Sequence, residues 1–277
     1  MTSAKPYEII EEPALRAPWL LAAWGADAGN LGPRVVDYLI ERLGGHVCAE
    51  IAPAPFFQLG GVSIRDNVIQ FPASSFYCTP SKDLIILKSD VPTRDFYRFV
   101  STVLDIANVH YGSKGIYTIG GLIAMRAHTR PGRVFSVVNL PEIRPYLSGY
   151  DVETGLDYKT PADSRPTLSS YLLWAAARRH LPGVSLWAEV PFYLAGSYDP
   201  RASRALLSLI DGRWRLGLDL AAIDSEIEEQ DRAIGDLRRE KPEVSKYLEM
   251  LERDIALGPE EQEKLVAEVS AQLAARK

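Results

Sequence analysis

Residues Trp19 to Gly45, WLLAAWGADAGNLGPRVVDYLIERLGG, read as a buried strand, a tight polar turn and an amphipathic helix. Pro18 introduces the apolar run Trp19–Trp24, and Gly25 breaks it. A continuous apolar run of this length suits a strand covered on both faces, as in a parallel sheet. After Asp27 and Asn30, the residues Leu31, Val35, Leu39 and Leu43 recur at helical spacing, with Val36 and Ile40 widening the stripe. Gly44 and Gly45 then predict the helix end. In an open α/β sheet, the turn between such a strand and helix is where a ligand usually binds.

Working outward, the same alternation repeats. Val47–Ile51 is a second strand candidate, and Val62–Ile64 with Val68–Phe71 predict a hairpin around Arg65, Asp66 and Asn67. Phe76–Cys78 reads as an edge strand, and Asp83–Lys88 as a core strand. Thr93 is placed to cap a helix whose stripe includes Phe96, Phe99, Val100, Val103, Leu104 and Ala107. Gly115–Ile119, Val134–Val138 and Val184–Val190 are further strands, and Thr167 caps a helix running to His180. Strands alternating with helices predict a doubly wound, mainly parallel α/β sheet over about residues 15–215. Its parallel centre should hold 19–24, 84–88, 115–119 and 184–190.

From Arg201 onward the pattern is helical only. Ile223, Ile227, Ile234, Leu237, Val244, Leu248, Leu251 and Ile255 alternate four and three residues apart once Gln230 and Lys241 fill the register. This is a coiled-coil-like seam, interrupted at Pro242. We therefore divide the chain into an α/β core, 1–215, and an all-α extension, 216–277. The seam carries too much apolar surface to stay in water, so it packs on the body or on a second chain. The polar Gln230 and Lys241 resemble register-selecting devices and predict a homo-oligomer.

Composition sets the remaining bounds. The 277 residues are 47% hydrophobic with a net charge of −5, ordinary values for a globular chain. Asp219–Lys264 holds 15 acids against 7 bases, a net of −8, leaving the rest near +3. No basic stripe points to nucleic acid. No apolar run is long enough to span a bilayer, and MTSAKPYEIIEEP has no signal-like apolar centre, so a cytoplasmic location is expected. On that expectation Cys48 and Cys78 read as two buried thiols rather than a disulfide.

No catalytic constellation, metal spacing or cofactor motif emerges, and no cofactor or metal is expected. Gly112-Ser113-Lys114-Gly115 lacks phosphate-loop spacing and reads as a turn. His46, His110 and His180 read as helix-end residues. The candidate ligand contacts are Asp27, Asn30, Gly121, His128 and Arg130, all on loops at carboxyl ends of strands. His128 lies with Arg126 and Arg130 after two glycines, which fits either anion binding or a loop pinned by hydrogen bonds. Asn30 and Asp27 either cap the first helix and close an Asx-turn or touch a ligand.

Taken together, Arg16-Ala17-Pro18, the turn GADAGN at 25–30, Asp83–Lys88, Gly120-Gly121 with AHTRP at 127–131, WAEVPFY at 187–193 and Tyr247–Glu252 resemble the proteasome assembly chaperone 2 family over roughly residues 15–255. The resemblance implies an α/β core related in fold to nucleoside phosphorylases, a helical C-terminal extension as in bacterial-type members, and a protein-binding, chaperone-like role. Two departures stand out. Ser164-Arg165-Pro166-Thr167-Leu168 replaces a Gly-Pro-[Ser/Thr]-Gly run frequent in the family. The chain ends Ala274-Ala275-Arg276-Lys277 instead of hydrophobic–Tyr–any residue, so docking through that tail is not expected. Two function classes follow: a non-enzymatic interaction or assembly protein with a protein partner, or an enzyme or small-ligand binder using the loop edge.

Overall fold

The computed structural model describes residues 5–275, apart from 26, 59–62, 66, 158 and 160–165. The turn residues Gly60, Gly61 and Asp66, the departure at Ser164-Arg165, and the last two residues of the tail lie outside the described residues. In chain order the elements are β1 (Tyr7–Ile9), β2 (Trp19–Trp24), α1 (Leu31–Leu43), β3 (His46–Ile51), β4 (Ser63–Arg65), β5 (Val68–Gln70), β6 (Ser74–Thr79) and β7 (Leu84–Ser89). They continue with α2 (Phe96–Leu104), β8 (Gly115–Ala124), β9 (Val134–Val138), α3 (Leu168–Ala177), β10 (Gly183–Pro191) and α4 (Pro200–Trp214). Three more helices close the chain: α5 (Ala221–Glu240), α6 (Pro242–Glu252) and α7 (Pro259–Ala274).

Eight strands form one sheet in the order β1-β3-β6-β7-β2-β8-β10-β9, while β4 and β5 pair as a separate hairpin. The centre β7-β2-β8-β10 is parallel, as the four continuous apolar runs predict. The flanks are antiparallel, including β9 on β10 and β6 on β7. Both faces of the centre are buried. Leu21, Ala23, Leu84 and Ile86 point into one apolar cluster with α1, α4 and the C-terminal helices. Leu20, Ala22, Ile85 and Leu87 point into a second cluster with α2 and α3. Alternate side chains of one strand thus enter different cores, which is why these runs lack polar alternation. The fold is α/β with helices on both faces.

Gly44 ends α1 in the left-handed conformation, φ 64°, and its N–H returns to the Ile40 and Glu41 carbonyls. That is the glycine-terminated helix the sequence predicts. Elsewhere the structure departs from the sequence reading. Phe76 lies in an interior strand, β6, between β3 and β7. The residue capping α2 is Asp95, φ 51°, whereas Thr93 Oγ1 accepts a hydrogen bond from Gln58 N at 2.9 Å and steadies the preceding loop. His46 opens β3 instead of ending a helix. Cys48 and Cys78, on the paired strands β3 and β6, form a disulfide with Cα atoms 5.9 Å apart. The two thiols expected from compartment alone are therefore corrected: ladder pairing brings their backbones within bridging reach.

The seam is covered by its own chain. Ile223, Ile234, Leu237, Val244, Leu248 and Leu251 share one buried cluster with Tyr193, Leu194, Leu206 and Ile210 of the body, and Ile227 packs against it. Ile255 departs from the pattern at 48% exposed. Lys241 adopts an extended conformation and Pro242 starts α6, so the break falls where the proline demands it. Gln230 Nε2 donates to the Tyr198 carbonyl at 2.8 Å, and Lys241 pairs with Glu268. Both polar seam positions serve contacts within the chain. The apolar stripe therefore needs no second copy, and the seam gives no reason for a homo-oligomer.

Candidate functional site

At the carboxyl end of β2 the chain turns into α1 through Asp27. Asp27 Oδ2 accepts hydrogen bonds from Gly32 N at 2.9 Å and from Gly121 N at 3.1 Å. One carboxylate oxygen thus closes the helix start and pins the neighbouring strand β8. Asp27 Oδ1 is buried without a hydrogen bond. Burial raises the carboxyl pKa against the pull of these backbone donors. Asn30, φ 48°, has no side-chain cap bond and faces outward.

The loop after β8 carries the other candidates. Tyr193 Oη accepts from His128 N at 2.6 Å and lies 2.8 Å from His128 Nδ1. The other ring nitrogen, Nε2, stands 3.9 Å from Asp231 Oδ1 of α5. Burial lowers His128 to about 4. Thr129 Oγ1 donates to Glu252 Oε1 at 3.1 Å, while Arg130 reaches the Glu252 carbonyl at 2.8 Å and Asp254 Oδ2 at 3.1 Å. The five candidates therefore divide. Asp27 and Gly121 meet directly, His128 and Arg130 clamp the loop onto Tyr193 and the helical extension, and Asn30 turns to a groove described below.

A pH prediction follows for His128. Its folded pKa, about 4, lies below the ordinary 6.5, so the unfolded chain takes up the proton first on acidification. Stability should fall between about pH 6.5 and pH 4, by roughly 3 kcal/mol from this residue. Asp27 and Asp199, whose carboxyls burial pushes up, act in the opposite sense as acid protonates them. Urea unfolding of His128→Gln at several pH values should show a shallower acid slope than the original chain. An equal slope would show that His128 protonation is not coupled to folding.

Several charged residues escaped the sequence reading. Glu189, on the core strand β10, is 6% exposed and accepts from Arg133 Nη2 at 2.6 Å. Its signal was a carboxylate inside an otherwise apolar run. Asp199 caps α4, its Oδ1 accepting from Arg201 N and Ala202 N, with Pro200 at the first helical position. Arg201 pairs with Asp231 of α5. Arg126, which the sequence reading did place beside His128 and Arg130, turns inward and is 13% exposed.

A concavity of about 1030 Å³ lies between α1, the ends of β2 and β7, and the hairpin. Trp24, Asn30, Arg34, Lys88, Asp90 and Phe71 are among its walls. Lys88 Nζ pairs with Asp37 at 2.5 Å, and Asp90 Oδ2 accepts from Ala73 N at 2.9 Å. The hairpin next to it exposes Ile64 by 74%, Val68 by 57%, Ile69 by 59% and Phe71 by 59%. Among the described residues, no three His, Cys, Asp or Glu side chains gather as metal ligands. Among them also, no helix is long and apolar enough to cross a membrane.

Comparison with known proteins gives one sequence-family match, the PAC2 family model over residues 25–238. No curated protein matches. Among solved structures the chain is similar to the archaeal proteasome activator PbaB of Pyrococcus furiosus, at 25% identity and a TM-score of 0.70. That match covers 84% of this chain and 98% of the other. It is also similar to a proteasome-assembly chaperone homologue of Mycobacterium tuberculosis, at 22% identity and a TM-score of 0.69, covering 83% and 99%. A third structure, a Mycobacterium tuberculosis protein of unknown function, matches at 21% identity and a TM-score of 0.75, covering 91% of each chain.

Proposed function

Because the chain belongs to the PAC2 family, we propose that it works by protein–protein contact, as an assembly-chaperone-like factor. The contact surface in this reading is the hairpin β4–β5. The observation that carries it is the exposure of Ile64, Val68 and Ile69 on a two-stranded sheet outside the main ladder, and of Phe71 directly after it. A lone hairpin has little stability of its own. Clustered apolar exposure of this kind marks interaction surfaces. The proteasome activator and assembly-chaperone homologue among similar structures make a proteasome core particle the first partner to test. The groove favours a second reading, a small-ligand binder, since its volume matches that of ligand sites.

The test places a photo-reactive cross-linker at position 69 in the native cell, with and without Ile64→Ser and Phe71→Ser. A discrete protein adduct is expected, and the double substitution should weaken its binding about a hundredfold. Folding stability should change by less than about 0.5 kcal/mol, as for surface positions. An adduct pattern insensitive to the substitutions would overturn the hairpin reading. A small molecule co-purifying with the chain, in place of a protein, would favour the groove.

A further inference from the structure

A second, smaller cavity of about 40 Å³, partly open to solvent, lies where the β8 loop, β10 and α4 meet. Its walls include Arg126, Gly132, Arg133, Glu189, Arg201 and Ala202. Three guanidinium side chains thus face one carboxylate. That carboxylate is already engaged: Glu189 accepts from Arg133 N at 3.1 Å, Nε at 3.1 Å and Nη2 at 2.6 Å. Arg126 Nε stands 4.0 Å from Glu189 Oε2, beyond hydrogen-bond reach. Arg201 gives one nitrogen to Asp231, while its Nε is buried without a partner. Asp199, the nearby cap of α4, spends Oδ1 on backbone N–H groups.

The cavity wall is therefore rich in N–H donors: Arg126 Nη2 is spent on the Arg130 carbonyl, whereas Arg201 Nε is buried without an acceptor. A water molecule offers two acceptor lone pairs, and its own two protons would need acceptors that this wall largely lacks. An oxyanion brings acceptors only, and planar guanidinium forks match its geometry. We propose that this cavity binds a small oxyanion, of the size class of bicarbonate, nitrate or inorganic phosphate, bridging the β8 loop to α4. Burial lowers the Arg126 pKa, opposed by the Glu189 and Asp199 charges. This site is distinct from the hairpin and independent of its partner.

The experiment is calorimetric titration of the full-length protein with inorganic phosphate, and separately with bicarbonate and nitrate, at fixed ionic strength. One-to-one saturable binding is expected for at least one of them. Arg201→Gln should weaken it about a hundredfold and Arg201→Lys about tenfold, since lysine keeps the charge but loses the fork. Asp231→Asn removes the same ion pair while leaving Arg201 free, so binding should persist or tighten. Absence of saturable binding for all three anions would overturn the proposal. So would equal binding by Arg201→Gln, or equal loss in Asp231→Asn, which would place the effect in the ion pair.

Discussion

Removal of residues 219–277 should leave a chain without a cooperative unfolding transition. The reason is geometric: Ile223, Ile234, Leu237, Val244, Leu248, Leu251, Leu265 and Val269 complete the cluster that holds Tyr193, Leu194, Leu206 and Ile210. Each such side chain is worth roughly 1.5–3 kcal/mol on full burial, before the entropy of ordering the helices. Lost together, they rival the whole stability of a domain, about 5–15 kcal/mol. The truncation would also bare Tyr193 and Leu194, both at most 1% exposed in the full chain. Arg130, Arg201 and Arg204 would lose partners on α5, at Glu252 at the end of α6, and at Asp254 beyond it. We therefore propose that the boundary near 215 separates two patterns of sequence and not two folding units. Far-ultraviolet circular dichroism with thermal unfolding checks this. A truncated chain melting as sharply as the original would establish an independent core and refute the prediction.

How far the sequence reached depended on the range of the interaction concerned. The parallel centre was legible because burial on both faces turns Leu84–Leu87 and Leu20–Ala23 into unbroken apolar runs, a local signature. Strand β6 was less legible: Ser74 and Thr79 are buried polar residues, bonded to Ser89 Oγ and the Leu84 carbonyl. Such a strand reads as an edge until its neighbours are known. The Cys48–Cys78 pairing depends on strands 30 residues apart being adjacent, which no local pattern reports. The seam's period was readable, but period says only that a stripe must be covered, not by which chain. Arg126 and Arg130 share one short loop, and the sequence alone gave no reason for the first to turn inward and the second to reach Asp254. Tertiary direction decided which of them lines a cavity.

Gly121→Ala should destabilise the protein by about 3–5 kcal/mol, a large loss for adding one methyl group. A Cβ at Gly121 would fall well inside contact distance of the Ala28 carbonyl oxygen, 3.0 Å from its carbon and 3.1 Å from its Cβ. Backbone cannot rotate out of the way as a side chain can. Ala28 is held on both sides, by Asn30 N donating to the Asp27 carbonyl at 3.1 Å and Gly29 N donating to the Ala195 carbonyl at 2.9 Å. Relief therefore means parting β8 from the β2–α1 turn. That breaks the bond from Gly121 N to Asp27 Oδ2, on a buried carboxylate whose Oδ1 already has no donor. Overpacking contributes about 1–3 kcal/mol and the lost charge-assisted hydrogen bond about 1.5–3. The neighbouring Gly120→Ala is the control, because its Cβ would meet Asp27 Oδ2 at an ordinary 3.5 Å. Urea midpoints should separate the two variants clearly, with Gly120→Ala within about 1 kcal/mol of the original. Equal midpoints would mean that the turn yields freely, and Asp27 would then be a helix cap without the additional role of pinning β8.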